Sequence, residues 1–413
     1  MNVVVIGGGA SGVVTVHLLR GVHHTTLVER EPMLGGNIRT LGRNVSCPAL
    51  DPGVYIDAGV IEFKRDNFPA FHVLMDELGV QLGEAPGTTG LFLGDGHSYK
   101  SPRGIARSTH NPLVRIRERA RLLRLAPARV RFMRRTSAAT PEELRTQPLS
   151  HYLDDGDFSL WVRLLVMYAY SIPAASVGHA PAALAVPMLR DFLRAGRWSR
   201  IKGGVYKYIE RILEGFDGKV LLETHVARVR RDRKGVELEM ISGEKMRFDA
   251  IVFATTPDQV LALLADPSAA EVRRFGAWKA QAATTLVHTD DGIFERHAIG
   301  YPSEFDLIET GQGNYGYNAY LNRLTGLSDD VPHYQLAFNL AEEIDPAQVL
   351  HTQHHATPRY TVEALRYRDE VIETNGENHT FHAGAYLGDG LHEGAFRSAN
   401  AVSRLLGGHV IRY

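Results

Sequence analysis

The stretch MNVVVIGGGASGVVTVHLLRGVHHTTLVER, residues 1–30, reads as strand, glycine turn, helix and strand in immediate succession. Val3 to Ile6 form an apolar, β-branched run, too short for a helix and long enough for a buried parallel strand. Gly7, Gly9 and Gly12 follow at the G-x-G-x-x-G spacing. In a dinucleotide site the first glycine makes the tight turn, the second lets backbone approach a pyrophosphate, and the third lets helix and strand pack closely. A helix starting near Ala10 would present free N–H groups and the positive end of its dipole to that anion. Leu27 and Val28 make the second strand and Glu29 ends it, twenty residues beyond Gly9. A carboxylate at that distance can accept a hydrogen bond from a ribose hydroxyl. All the parts stand in order, so the opening predicts a dinucleotide-binding unit; the motif alone does not separate NAD from FAD.

Composition sets the outer limits. A chain of 413 residues supplies core for two or three domains, and 44% apolar with 23% charged residues is ordinary for a globular protein. The formal net charge of −1 predicts no polyanionic partner in bulk. Cys47 is the one cysteine, so no internal disulfide forms and a reducing compartment is expected. The first strand starts at residue 2 or 3, which leaves no room for a signal peptide, and no apolar run reaches ~18 residues. The expected location is cytoplasmic.

Outward from the opening, PMLGGNIRT places Gly35 and Gly36 before Arg39 and Thr40, a glycine pair that lets backbone come close to something flat or phosphorylated. Tyr55 to Phe63 (YIDAGVIEF) is strand-like, with Asp57 and Gly59 inside it, and Phe68 to Leu78 is helix-periodic. Gly203 and Gly204 open a helix through Tyr206 and Ile212, Val220 to Val229 reads as one alternating strand, and Asp249 to Thr256 as a buried strand ending in a turn. Near the C-terminus Gly384, Gly388, Gly390 and Gly394 punctuate a segment from which a helix begins at Glu393 to Ala395.

These motifs together resemble the flavin-containing amine oxidase superfamily, which includes phytoene desaturases and protoporphyrinogen oxidases. They are most similar to bacterial flavoproteins associated with cyclopropane fatty acid synthases. The resemblance is carried by the opening fingerprint, LGGNIRT, the IDAG stretch, IKGGVYKYIERIL, HVARV, FDAIVFATTPDQVLALLAD, TTLVHTD, YLNRLTGL, EEIDP and FHAGAYLGDGLHEGAFRSANAV, collinear over most of the chain. It implies an α/β fold: a discontinuous Rossmann-like FAD-binding domain of residues 1–64, 201–260 and 373–413, with an inserted mixed α+β substrate domain of residues 65–200 and 261–372. It also implies that the residue at Val226 holds the adenine edge through its backbone, and that the C-terminal helix points its N-terminus at the flavin ring. An NAD enzyme has no need of that second element, so non-covalent FAD is the expected cofactor. Its expected contacts are Gly7, Gly9, Ala10, Ser11, Gly12, Glu29, Arg30, Gly35, Gly36, Asn37, Arg39, Val226, Gly384, Glu393, Gly394 and Ala395.

Three departures from the family pattern bear on chemistry. Ala385 stands where many members have an acid. Leu391 stands where amine oxidases place a caging aromatic residue. The strand Ala283 to Val287 lacks the lysine that many members carry there. Amine oxidation is therefore disfavoured against hydride abstraction from a C–H bond of an apolar, fatty-acyl or polyene-like substrate, giving desaturation or redox-neutral double-bond isomerisation. A non-catalytic flavoprotein partner of a lipid-modifying enzyme is the remaining class. His392, beside Glu393, is the candidate catalytic residue, because an unperturbed imidazole titrates near neutrality and can donate a hydrogen bond or relay a proton.

Three further segments matter. Leu160 to Tyr170 is apolar nearly all round, either a core helix or the wall of an apolar cavity. Between Lys100 and Arg135 eleven arginines and one lysine face a single acid, Glu118, with apolar residues interleaved. That pattern is a solvated helix face or a basic amphipathic surface for an anionic membrane or acidic carrier, with no nucleic-acid module in view. His351, His354 and His355 lack other ligands at metal spacing and read as a surface loop without metal, and Cys47 has no activating neighbour.

Overall fold

The valine run Asn2–Ile6 is the middle strand of a five-stranded parallel sheet in the order Lys219–Leu221, His24–Val28, Asn2–Ile6, Ala250–Phe253, Thr380–His382. In this computed structural model, which describes residues 1–194 and 196–413, the sheet is assembled from three separated stretches of chain. Its strands are apolar throughout because both faces are covered. Val3, Val5, Leu27 and Val252 pack with the helices Ala10–Leu19, Lys207–Glu214 and His392–Leu405. Their neighbours Val4, Ile6, Val28 and Phe253 share a core with Val236 and Leu238 of an antiparallel three-stranded ribbon, Val226–Asp232, Gly235–Met240 and Lys245–Phe248.

Two expectations about strands need correction. Val220 to Val229 is not one strand: Lys219–Leu221 joins the parallel sheet and Val226–Asp232 the ribbon. Between them Glu223 takes φ 50°, and the N–H groups of Glu223 and Thr224 bond the carbonyls of Glu31 and Glu29. His351, His354 and His355 lie in the strand Val349–Pro358, paired antiparallel along Ala280–His288, and not in a surface loop. Alternation buries His355 while leaving His354 outward.

The strand Ala280–His288 belongs to a seven-stranded sheet that also contains Phe305–Thr310, Asn314–Tyr320 and Gln335–Phe338. A helical layer covers it, including Pro112–Leu123, Ala126–Ala138, Asp157–Tyr170 and Ala182–Phe192. A small sheet of Glu62–Lys64, Trp198–Ile201 and Leu82–Ala85 joins this half to the parallel sheet. Among the described residues no helix is long and apolar enough to cross a membrane.

The join of the first strand to its helix has no spare volume. A Cβ on Gly12 would lie 1.9 Å from the Gly7 carbonyl oxygen, and one on Gly7, at φ +104°, 2.6 Å from the Ala254 oxygen. Both contacts are with backbone, which cannot rotate away. Gly12→Ala is therefore expected to destabilise the protein by about 3 kcal/mol, at the upper end of the overpacking range; chemical denaturation of purified variant and parent measures it.

Candidate functional site

A cavity of about 1180 Å³ runs from the first glycine turn into the space between the parallel sheet and the seven-stranded sheet. Single-ligand pockets occupy roughly 300–1,000 Å³, so this one has room for a dinucleotide and a second molecule. Gly7, Gly9, Ala10, Ser11, Glu29, Arg30, Gly35, Gly36, Asn37, Arg39, Val226, Gly384, His392 and Ala395 all line it.

At the dinucleotide end two glycine segments are stapled together: the Gly35 N–H donates to the Gly8 carbonyl at 2.8 Å. A Cβ on Gly36, at φ +58°, would stand 3.0 Å from the Gly9 Cα, so the second segment has little room for a side chain at that point. Glu29 is fixed beside this cradle, its two oxygens accepting from the N–H groups of Gly8 at 2.7 Å and Glu31 at 3.0 Å. Each oxygen keeps a lone pair for a hydroxyl donor. Arg39 lies on the wall with no ion-pair partner among the described residues, although Glu29 and Glu31 act on its charge. Burial holds its pKa below the usual arginine value. Backbone stripped of Cβ atoms, a buried acid and an unpaired guanidinium together fit a ribose and a pyrophosphate. Arg30 stays exposed at the rim, 3.2 Å from Glu31.

Three of the expected contacts do not line the cavity. Gly12 serves the packing described above. Glu393 turns away: its carboxylate accepts from the Ala70 and Phe71 N–H groups at 3.1 and 3.2 Å and pairs with Arg397 at 2.8 Å. It therefore caps the helix Pro69–Glu77 instead of reaching a cofactor. Gly394 sits against Asp389, whose carboxylate accepts from the N–H groups of Gly394 at 2.8 Å and Leu391 at 2.9 Å. Part of the helix N-terminus expected to face a flavin is thus already satisfied by an acid of its own loop.

His392 lines the cavity but sits in an aromatic nest of Phe63, Phe71 and Phe396, its Nε2 3.0 Å from the Tyr208 hydroxyl. Burial pushes its pKa down to about 3, so the imidazole is neutral at physiological pH and does not titrate there. The expectation of a near-neutral pKa fails for that reason, while the capacity of a neutral ring to hydrogen-bond remains.

Several cavity residues were not legible as site residues. His355 Nε2 lies 2.9 Å from the Thr285 hydroxyl, which also donates to the Ala58 carbonyl. Burial, and secondly the Arg39 charge, bring His355 down to about 4. Tyr168, Tyr170 and Ser171 bring the end of Asp157–Tyr170 into the wall, so the apolar helix is core along one side and cavity at its C-terminus. Glu62 stands in the same chamber, with the Tyr168 hydroxyl donating to it at 3.2 Å. The Tyr170 and Tyr360 rings flank Gly390 with centroids 5.8 Å apart and planes at 62°, in edge contact with each other. Among the described residues no cluster of side chains could hold a metal ion.

The family model described as flavin containing amine oxidoreductase matches residues 13–315. Solved structures with the same fold include a CLA-producing fatty acid isomerase from P. acnes, 15% identical, with a TM-score of 0.71 over 97% of this chain and 98% of that one. A cyclohexylamine oxidase from Brevibacterium oxydans IH-35A is 16% identical, with a TM-score of 0.69 over 98% of this chain and 99% of that one. A putrescine oxidase bound to putrescine is 14% identical, with a TM-score of 0.68 and the same coverage. No curated protein matches the sequence.

The placement of Glu393 separates stability from cofactor binding. Glu393→Ala should cost about 2–3 kcal/mol, because two backbone donors and a buried carboxylate contact are lost together. Flavin content per folded protein should stay at the parent level. Thermal melting alongside absorbance of released cofactor checks both halves.

Proposed function

The chain belongs to the flavin-containing amine oxidoreductase family, and from that premise we propose an FAD-dependent oxidoreductase that takes hydride from a C–H bond of an apolar, fatty-acyl or polyene-like substrate. One observation supports this above the others: a single cavity joins the glycine cradle and Arg39 at one end to a chamber walled by Phe63, Tyr168, Phe192, Trp198 and Tyr317 at the other. Both the first glycine motif and the C-terminal motif border it, which suits FAD over a nicotinamide held by the first motif alone. Cys47 is the only cysteine and lies outside the C-terminal motif, which supports non-covalent binding. Bound flavin supplies a hydride acceptor, while the protein supplies orientation and a dry, shaped wall.

The Tyr170 and Tyr360 pair bears on the competing reading, oxidation of an amine. Two aromatic rings could make up for Leu391 as a cage. Their hydroxyls, however, donate to the backbone of Leu184, Asp389 and Gly390, and the rings meet edge to face with no gap for a substrate between them. That packing favours the carbon substrate.

The helices Pro112–Leu123 and Ala126–Ala138 support a location for the reaction. Leu113, Ile116, Leu123 and Val130 are 75%, 63%, 69% and 57% exposed among the arginines. Glu118 and Asp154 are the acids that pair with this face, leaving Arg119, Arg124 and Arg134 with neither an ion pair nor a side-chain hydrogen bond among the described residues, while Arg115 and Arg129 bond only backbone carbonyls. We propose that the face docks on an anionic lipid surface, with apolar side chains entering the interface and arginines meeting head groups. The second helix is tied to the cavity-lining layer through Arg129 and the Leu193 carbonyl.

Two experiments follow. Anaerobic mixing with polyunsaturated acyl substrates should bleach the flavin, and product mass distinguishes a new double bond from an isomer; denaturation should release FAD. Bleaching by primary amines, and by no acyl or polyene compound, would overturn the proposal. In sedimentation with phosphatidylglycerol vesicles, the protein should bind at low ionic strength and be released by salt. Leu113→Ser with Leu123→Ser should weaken that binding several-fold.

A further inference from the structure

A second, smaller cavity of about 110 Å³ stands apart from the dinucleotide cradle, walled by Tyr55, Asp57, Ile61, Arg200, Leu324 and Leu327. Ile61 also lines the large chamber, so the two spaces adjoin at that residue. A water molecule takes up roughly 30 Å³ in the liquid, which makes the small cavity roomy enough for one ionic head group and too small for a nucleotide.

Arg200 is the cation of this cavity. It stands in the strand Trp198–Ile201, the middle strand of the small sheet, on the same face as Trp198. Its guanidinium lies over Gly83, where a Cβ would stand 3.1 Å from Cζ, and against Gly326, at φ +75°, between the wall residues Thr325 and Leu327. Nε is buried with no hydrogen-bond partner. Nη1 and Nη2 keep accessible surface, and they too make no hydrogen bond or ion pair among the described residues. The acids around it are engaged elsewhere. Glu62, opposite Arg200 in the sheet register, accepts from the Tyr168 hydroxyl at 3.2 Å. Asp57 accepts from the Thr40 hydroxyl and the Val205 N–H at 2.5 and 2.9 Å, and Arg43 is the cation that acts on its charge. Burial is the one cause that moves the pKa of Arg200, and it moves it down, so no acid compensates the charge. A half-buried guanidinium with every donor unused calls for a counter-charge from outside the chain.

We propose that this cavity is a carboxylate site, in which the guanidinium of Arg200 holds the two oxygens of the ligand. A planar fork of N–H donors matches a planar carboxylate in bidentate geometry. A phosphate dianion suits the cavity less, because Arg200 offers one positive charge and Asp57 shares the wall. The group has two sources compatible with this geometry. One is the end of an acyl chain that lies along Trp198 in the chamber and reaches past Ile61; that version rests on the apolar-substrate reading and narrows it to a free acid. The other is a small carboxylate taken directly from solvent, which is independent of that reading.

The test uses the flavin-loaded protein at neutral pH and constant ionic strength, with two matched pairs of ligands, acetate with acetamide and palmitate with methyl palmitate, and with inorganic phosphate. Binding is followed by tryptophan fluorescence and by the shift in melting temperature. In at least one pair the acid should bind about tenfold or more tightly than its neutral partner, the factor a charge-assisted hydrogen bond supplies. Arg200→Met, which keeps a long apolar stem, should abolish that preference, and Arg200→Lys should keep a weakened one. Affinity that rises from acetate to palmitate assigns the group to an acyl substrate. Acetate preferred over acetamide, with no gain from the longer chain, keeps the site and removes its support for the apolar-substrate reading. Acids bound no more tightly than their neutral partners overturn the proposal, and that comparison is made on the parent protein whether or not a variant folds. So does a preference that survives unchanged in Arg200→Met, or phosphate binding more tightly than either acid.

Discussion

Close approach of bare backbone holds the cofactor end of this molecule together. Gly7, Gly9, Gly35 and Gly36 bring two loops to within van der Waals contact, and the Gly35 to Gly8 hydrogen bond fixes their spacing. Gly12 lets the first helix sit on the same turn. Because the helix is seated there, its neighbour His392–Leu405 can pack against it, and the C-terminal loop is carried to the cavity. Three distant stretches of chain then share one wall. A methyl group in the wrong place would therefore disturb the sheet, the cradle and the C-terminal motif together.

The cavity changes character along its length, and the two sheets account for the change. The parallel sheet ends in loops, where backbone N–H groups, Glu29 and Arg39 are available to phosphate and sugar. The seven-stranded sheet contributes Ala282, Thr285 and Tyr317, and its edge strand lines the cavity along the run Thr352–Pro358. Polar recognition by loops and apolar enclosure by strands are joined at Gly59, where a Cβ would lie 2.6 Å from the Asn37 carbonyl and 3.1 Å from the His355 ring.

Local pattern made the first of these halves readable and the second mostly not. Glycine spacing and β-branched runs are signals within a few residues of each other, and they lead directly to the strand, turn and helix of Asn2–Leu19. Glu62 and Tyr168 are 106 positions apart, and nothing local distinguishes Glu62 from a solvated acid at a strand start. His355 had a weak signal, the alternation of Leu350, Thr352 and His354 with His351, Gln353 and His355, which the three-histidine cluster obscured. Glu393 shows the opposite error. Its place in a recognisable motif suggested a cofactor contact, but a motif fixes the backbone path and not the direction of a carboxylate, and this one caps a helix more than 300 residues earlier in the chain.

Charge at one end of the cavity also governs protonation at the other. His355 is held near 4 by burial and then by Arg39, so the guanidinium suited to a pyrophosphate also keeps a neighbouring imidazole neutral. His392 is held near 3 by its aromatic nest alone. With both rings uncharged, the junction between cradle and chamber offers hydrogen bonds without adding positive charge. A cationic imidazole there would oppose any positive charge developing on a carbon that gives up hydride, whereas a neutral one leaves that carbon in the field of aromatic faces and peptide dipoles. The neutrality of the two histidines thus follows from burial in the same cavity wall, and neither ring gains or loses a proton near neutral pH.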